Sequence, residues 1–102
     1  MDIDLVEMQV AAGDATQLMK ALSNENRLMI MCQLNGRELS VNELSEALGL
    51  RQTTVSQQLG LLRRDGLVSG RRDGNSVFYS IANDNIHGII EILYDMYCPK
   101  PA

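Results

Sequence analysis

The hydrophobic pattern near the middle of the chain predicts a short amphipathic helix. Val41, Leu44 and Leu48 recur at spacings that place them on one helix face. Ser40 and Glu43 have the spacing of a capping box, in which each side chain accepts a hydrogen bond from a backbone N–H of the first turn. We therefore expect the helix to begin directly after Ser40.

A second helix is predicted over about residues 52–64, after a turn at Gly49 and Leu50. Glycine accepts the positive φ that ends one helix and redirects the chain into the next. The apolar residues of the second helix are Val55, Leu59 and Leu62. Its other faces carry short hydroxyl and amide side chains, which hydrogen-bond base edges and phosphates when a helix enters the major groove. These polar residues are Gln52, Thr53, Thr54, Ser56, Gln57 and Gln58.

A β-hairpin is predicted immediately after this helix. Gly66 ends the helix, and Asp73-Gly74 is a strong hairpin signal between Leu67-Val68 and the run from Val77 to Ile81. The hairpin therefore spans about residues 67–81. Two helices joined by a tight turn and followed by a hairpin form the outline of a winged helix-turn-helix.

Two further helices are predicted before this module. The first spans about residues 5–22, with apolar residues at alternating spacings of three and four. Gly13-Asp14 leaves open whether that helix is broken or begins later than Leu5. Ser23 is predicted to cap the next helix, which runs to about Leu34. One face of that helix carries Leu28, Met31 and Cys32.

The last helix, over about residues 84–98, has a wide apolar surface. Asn83 or Asp84 is predicted to cap it, and Pro99 to terminate it. A small domain rarely needs so much apolar surface on a terminal helix, so we expect a homodimer interface built from the first and last helices. The alternative is additional core packing against the winged module. The predicted stripe consists of Ile86, Ile89, Ile90, Leu93, Met96 and Tyr97, with Ile92 and Tyr94 outside it.

These elements predict one domain over residues 1–102 that is mainly α with a small β-hairpin wing. It is a winged helix-turn-helix of order α-α-α-α-β-β-α, assembled as a homodimer. The composition is 45% hydrophobic, which suffices for a compact core. The sequence has no run of about 18 apolar residues and no basic-then-apolar leader, so we expect a cytoplasmic protein with no membrane partner.

Charge is distributed unevenly along the chain. The net charge is −4, yet residues 51–72 carry five arginines against one acid, so this segment is +4 and the remaining 80 residues are −8. Because affinity for DNA depends on local contacts with phosphates, this placement favours a double-stranded DNA partner over a merely solvated helix face. The candidate DNA-binding residues are Arg51, Gln52, Thr53, Thr54, Ser56, Gln57, Gln58, Arg63, Arg71 and Arg72.

The chain resembles the ArsR/SmtB family of winged-helix repressors over nearly its whole length. The most specific segments are ALSNENRLMIMCQL, ELSVNELSEALGL, TTVSQQLGLLRRDGLV and the wing ending VFYSI. A two-fold dimer of this kind reads a palindromic operator. Two positions depart from the family pattern. Gln58 stands where the recognition helix usually has histidine, and Arg51 replaces a serine that usually caps that helix.

The metal-sensing branches of the family match this sequence poorly. Ser40 and Asn42 occupy the two positions that hold thiolate ligands in the arsenic, lead and cadmium sensors. Zinc and nickel sites on the last helix need several histidine and carboxylate ligands. This chain has one histidine, His87, which we expect on a solvated helix face with Asp84 or Glu91. We therefore predict no metal site and no other cofactor.

The two cysteines, Cys32 and Cys98, are 66 positions apart. Their placement resembles the thiol- and persulfide-responsive branch of the family, the BigR-like and HlyU-like repressors. In that branch a disulfide or polysulfide bridge between the equivalent cysteines lowers DNA affinity. The residues alone leave other interpretations open, because Cys32 is also suited to be a small buried hydrophobe and Cys98 ends a helix, where the dipole disfavours a thiolate.

The predicted function is a dimeric, sequence-specific transcriptional repressor whose operator affinity is lowered by oxidation or persulfidation of Cys32 and Cys98. An alternative keeps the DNA binding without the thiol switch, as a constitutive regulator or an anti-silencer. A third possibility is a protein–protein adaptor that uses the winged helix as a docking surface. The sequence has no nucleophile-base-acid set, no phosphate-binding glycine loop and no metal cage, so we expect no enzymatic activity.

Overall fold

The computed structural model describes residues 1–99 of the 102-residue chain. Its elements are α1 (Leu5–Leu22), α2 (Glu25–Gln33), β1 (Leu39–Ser40), α3 (Val41–Leu48), α4 (Gln52–Arg64), β2 (Val68–Asp73), β3 (Ser76–Ile81) and α5 (Asp84–Tyr97). The predicted winged helix-turn-helix, mainly α with a hairpin wing, is confirmed. The sequence pattern does not predict β1, because a strand of two residues is too short to display a hydrophobic period.

The first helix has the predicted bounds of residues 5–22, whereas the start of the second helix differs from the prediction. The helix α1 continues unbroken through Gly13, and Asp4 caps its first turn. The prediction of Ser23 as the cap of α2 is wrong. Asn24 caps α2 by accepting a hydrogen bond from the Arg27 backbone N–H, whereas the Ser23 hydroxyl donates to the Lys20 carbonyl at 2.6 Å and so serves the end of α1.

The helix-turn-helix is formed by local interactions that the sequence predicts well. The Glu43 backbone N–H donates to Ser40 Oγ at 3.1 Å, and the Ser40 N–H donates to Glu43 Oε1 at 3.0 Å. This capping box starts α3. Gly49 ends α3 in the left-handed conformation, with a φ of 65°. The chain then enters α4, with Arg51 at its N-cap.

A three-stranded antiparallel sheet of order β1-β3-β2 forms the wing and its base. Strand β1 pairs Leu39 with Tyr79, and the hairpin pairing ends at Asp73 and Ser76. The loop is therefore Gly74-Asn75, one residue later than the Asp73-Gly74 signal suggested. Gly74 has a φ of 62° and Asn75 does not have a positive φ, which fits a type II′ turn.

The core forms around α2. It buries some of the apolar residues of α5 and leaves others exposed. Ile30, Met31 and Leu34 are fully buried against apolar residues of α3 and α4. On α5, Ile86 and Ile90 also lie in this core. The prediction of one continuous interface stripe on α5 is therefore wrong, since part of that stripe packs within the protomer. Large apolar side chains that remain exposed on α5 are Ile92, Tyr94, Met96 and Tyr97, and those in or next to α1 include Ile3, Leu5, Val6, Met8 and Val10.

No helix in the described part of the chain combines the length and the apolar character needed to cross a membrane.

Candidate nucleic-acid interface and thiol groove

The helix α4 presents one continuous exposed surface. Successive residues are rotated by about 100° around a helix axis, so residues of similar angle share a face. The seven exposed residues fall within one such arc, which we call the open face of α4. They are Gln52, Thr53, Ser56, Gln57, Gly60, Arg63 and Arg64. Thr54 lies half-buried beside this arc, and Gln58 lies half-buried on the opposite side, where Val55, Leu59 and Leu62 are buried.

Gln58 contacts the protein itself. Its Oε1 accepts a hydrogen bond from Arg27 Nη1 at 3.0 Å. Arg27 also donates through Nε to the Ala21 carbonyl at 2.7 Å and through Nη2 to the Lys20 carbonyl at 3.4 Å. Arg27, which the sequence does not single out, therefore joins α2 to the end of α1 and to α4.

The N-terminal end of the open face is shaped by α3. Gln52 Nε2 donates to Asn42 Oδ1 at 2.8 Å, so Asn42 orients a predicted DNA-binding side chain. Asn42 is exposed, and the sequence alone does not identify it as part of the DNA-binding surface. Arg51 is exposed at the N-cap and its side chain makes no capping hydrogen bond, while Arg63 is exposed in the last turn.

The two wing arginines have different surroundings. Arg71 pairs with Phe78 and Arg72 with Val77 across the hairpin, so their side chains leave opposite faces of the ribbon. Arg71 Nη2 and Nε donate to the Glu38 carboxylate at 3.0 and 3.1 Å, and the Arg71 guanidinium lies 5.4 Å from the centroid of the Phe78 ring. This hydrogen bonding and the positive charge hold the pKa of Glu38 below its usual value. Arg72 is exposed and makes no ion pair with any other residue from 1 to 99.

A groove of about 420 Å³ lies between α2 and α5 and contains Cys32. The predicted shared face of Leu28, Met31 and Cys32 is wrong, because the Cys32 side chain is exposed in this groove while Met31 is in the core. We call this the thiol groove. Its lining residues are Cys32, Asn35, Ile90, Glu91, Tyr94 and Asp95. Cys98 follows one turn after Tyr94, and its backbone N–H donates to the Tyr94 carbonyl at 2.9 Å.

Both cysteines are free thiols, and the surroundings of Cys32 change its acidity. Partial burial raises the pKa of Cys32, and the negative charge of a nearby Cys98 thiolate raises that pKa further. The two thiols are 66 positions apart in the sequence, yet Cys98 lies near enough for its charge to act on Cys32. The raised pKa also means that Cys32 is mostly the neutral thiol at neutral pH, which slows its reaction with electrophiles.

The single histidine is part of the link between α2 and α5. His87 is half-buried, and its Nδ1 is hydrogen-bonded to Asn35 Oδ1. The predicted solvated position of His87 is therefore wrong, because Asn35 approaches it from the end of α2. Asn35 also lines the thiol groove. Among residues 1–99, no group of three or more histidine, cysteine, aspartate or glutamate side chains is arranged to hold a metal ion.

Known regulatory proteins resemble this chain in sequence and in fold. A family model described as "Bacterial regulatory protein, arsR family" matches residues 24–69. The chain is 45% identical to the transcriptional activator HlyU of Vibrio cholerae over 96 residues, which are 94% of this chain and 89% of that protein. The transcriptional repressor BigR of Xylella fastidiosa matches with a TM-score of 0.88 and 36% identity, over 96% of this chain and 100% of that one. A homodimeric winged helix-turn-helix DNA-binding domain of Mycobacterium bovis matches with a TM-score of 0.77 and 30% identity, over 87% of this chain and 83% of that one.

Proposed function

The chain belongs to the ArsR family of bacterial regulatory proteins, and we propose that it is a homodimeric repressor that releases a palindromic operator when Cys32 and Cys98 are oxidised or persulfidated. The homologues are transcriptional regulators, which sets the general function. The observation that carries the specific proposal is the position of the thiol groove on α2, a helix that also contacts α4.

The open face of α4 supports DNA binding. It offers two amides and two hydroxyls of short reach at its N-terminal half and Arg63 and Arg64 at its C-terminal end. Such side chains form hydrogen bonds with base edges, and arginines contact phosphates. Gln52, Thr53, Ser56 and Gln57 are the proposed base readers. Thr54 contributes from beside the face, Gln58 is turned away from it towards Arg27, and Arg51, Arg71 and Arg72 are the remaining candidates for contacts with the DNA backbone.

The exposed apolar side chains of α1 and α5 support a homodimer. Ile92 and Met96 are 59% and 65% exposed and lie one turn apart on α5. A soluble protein rarely leaves a contiguous apolar patch of this kind uncovered. The related domain from Mycobacterium bovis is homodimeric. A charge at Ile90, in contrast, is expected to unfold the protomer, because that side chain is only 3% exposed.

The switch follows ordinary thiol chemistry. Peroxide converts one thiol to a sulfenic acid and releases water, and the second thiol displaces the hydroxyl group as another water to form a disulfide. A low-molecular-weight persulfide instead transfers its outer sulfur to one cysteine and leaves as a thiol. Attack by the other cysteine on the inner sulfur then releases hydrogen sulfide and leaves the same disulfide bridge.

The helix α2 connects the thiol groove with α4. Cys32 and Arg27 are five residues apart on α2, so their side chains point about 140° apart around its axis. Cys32 faces α5, while Arg27 donates to Gln58 of α4. A bridge to Cys98 restrains α2 against α5, and the Arg27–Gln58 hydrogen bond passes any resulting shift to α4.

A second candidate function has one observation in its favour. The relative from Vibrio cholerae is a transcriptional activator rather than a repressor. This chain would then bind the same kind of DNA site and act as an anti-silencer, with no thiol switch. Both candidates predict DNA binding, and they differ in whether thiol chemistry changes the affinity.

The test begins with a duplex selected by the unmodified protein from a random-sequence library. Affinity for that duplex is measured with the reduced protein and after treatment with hydrogen peroxide or a persulfide donor. We expect the treated protein to bind about a hundredfold more weakly, and Cys32→Ser and Cys98→Ser proteins to keep the reduced affinity under the same treatment. Unchanged affinity after confirmed modification would leave the anti-silencer as the better explanation.

A further inference from the structure

Gly60 lies at the centre of the open face of α4. It is exposed, and it lies four residues after Ser56 and three residues before Arg63 on the same arc of the helix. Every other residue of the open face carries a side chain that can form hydrogen bonds. The centre of the proposed DNA-binding surface is therefore bare backbone.

The fold itself gives no reason for a glycine at this position. Gly60 does not have a positive φ, so its backbone conformation suits any residue. A Cβ added at Gly60 would meet nothing within 4 Å. The contrast is Gly70 in the wing, where an added Cβ would lie 3.0 Å from Val77 Cγ1. Glycine within a helix is less favourable than alanine, so Gly60 lowers the stability of α4 with no compensating contact inside the protein.

We infer that Gly60 is the point at which the backbone of α4 approaches the DNA most closely, so that its missing side chain sets the depth of the helix in the major groove. This inference rests on the proposed function. Glycine is used where backbone must come close to a ligand. Hydrogen bonds tolerate only a few tenths of an ångström around 2.9 Å. A methyl group at Gly60 would hold the neighbouring Gln57 and Ser56 side chains away from the base edges.

The test compares Gly60→Ala and Gly60→Leu with the unmodified protein. Both substitutions improve helix propensity, so each is expected to raise the Tm by about 4 °C. Affinity for the selected duplex is expected to fall at least about fivefold for alanine and further for leucine.

The two measurements decide the inference together. A more stable protein with weaker DNA binding, and with a loss that grows with side-chain size, is the expected result. Equal affinities in the three proteins would overturn the inference, and so would a lowered Tm, because it would reveal a role for Gly60 inside the fold. If the unmodified protein selects no duplex at all, the proposed function fails instead, so the two failures are distinguishable.

Discussion

Replacement of Arg72 by alanine tests how the wing contributes to DNA binding. Each protein–phosphate contact contributes about 0.9 to the slope of log affinity against log salt concentration. The proposed dimer carries two wings, so Arg72→Ala is expected to reduce the magnitude of that slope by about 1.8. When salt is raised from 50 to 200 mM, both proteins lose affinity. The fold-loss of the Arg72→Ala protein should be smaller than that of the unmodified protein by a factor of about 12.

Arg71 provides the matched comparison, because it is one residue away and has the same charge. Its guanidinium is already engaged by Glu38 and stacked near Phe78, so Arg71→Ala is expected to change the slope much less than Arg72→Ala does. Glu38→Gln should release Arg71, increase affinity and steepen the slope. The assay is fluorescence anisotropy with the selected duplex and with a duplex of unrelated sequence.

The comparison contradicts our assignment of the wing in either of two cases. One is an Arg72→Ala protein with the affinity and slope of the unmodified protein. The other is an Arg71→Ala protein that loses as much slope as Arg72→Ala. Because phosphate contacts carry no sequence information, the Arg72→Ala loss should also be similar for both duplexes.

Three further outcomes are expected. Ile92→Glu should give folded monomers by sedimentation and circular dichroism, and a folded dimer would show that α5 is not the interface. The rate of Cys32 alkylation should rise with pH beyond the range of an ordinary thiol, and Cys98→Ser should shift the profile to lower pH, because the charge of Cys98 contributes to the raised pKa of Cys32. If Cys98→Ser leaves the pH profile of Cys32 alkylation unshifted, the two thiols are too far apart to form a bridge. Gln58→Leu should make the DNA affinities of the reduced and the bridged protein more nearly equal, and an unchanged ratio of the two affinities would exclude the route through Arg27. Gln57→Ala should instead weaken DNA binding by about 1–3 kcal/mol in both forms.

The parts of the fold that could be predicted depend on interactions between near neighbours in the chain. Ser40 and Glu43 of the capping box are three positions apart, and the apolar positions of α4 repeat within one or two turns. The hairpin was predicted from its turn, although the loop lies one residue later than Asp73-Gly74 suggests. Such interactions can be predicted from the sequence because both partners lie in the same short segment, so no distant partner has to be known.

The parts that could not be predicted depend on distant partners. Arg71 and Glu38 are 33 residues apart, and His87 and Asn35 are 52 residues apart. Nothing in the local sequence distinguishes Arg71 from Arg72, yet within residues 1–99 only Arg71 is paired with a carboxylate. The same limit applies to Cys32, since helical spacing gives the relative directions of side chains but not which direction faces the core.

The bridge between Cys32 and Cys98 is expected to move stability and DNA affinity in opposite directions. It would close a loop of about 67 residues, which restricts the unfolded chain by about 4 kcal/mol. A hundredfold loss of operator affinity requires a coupling free energy of only about 2.7 kcal/mol, so a small displacement of α4 through α2 is sufficient. Oxidative damage to the core would instead lower both quantities. Thermal unfolding and operator binding of the bridged protein therefore separate a switch from damage, and a lowered Tm after bridging would contradict the switch.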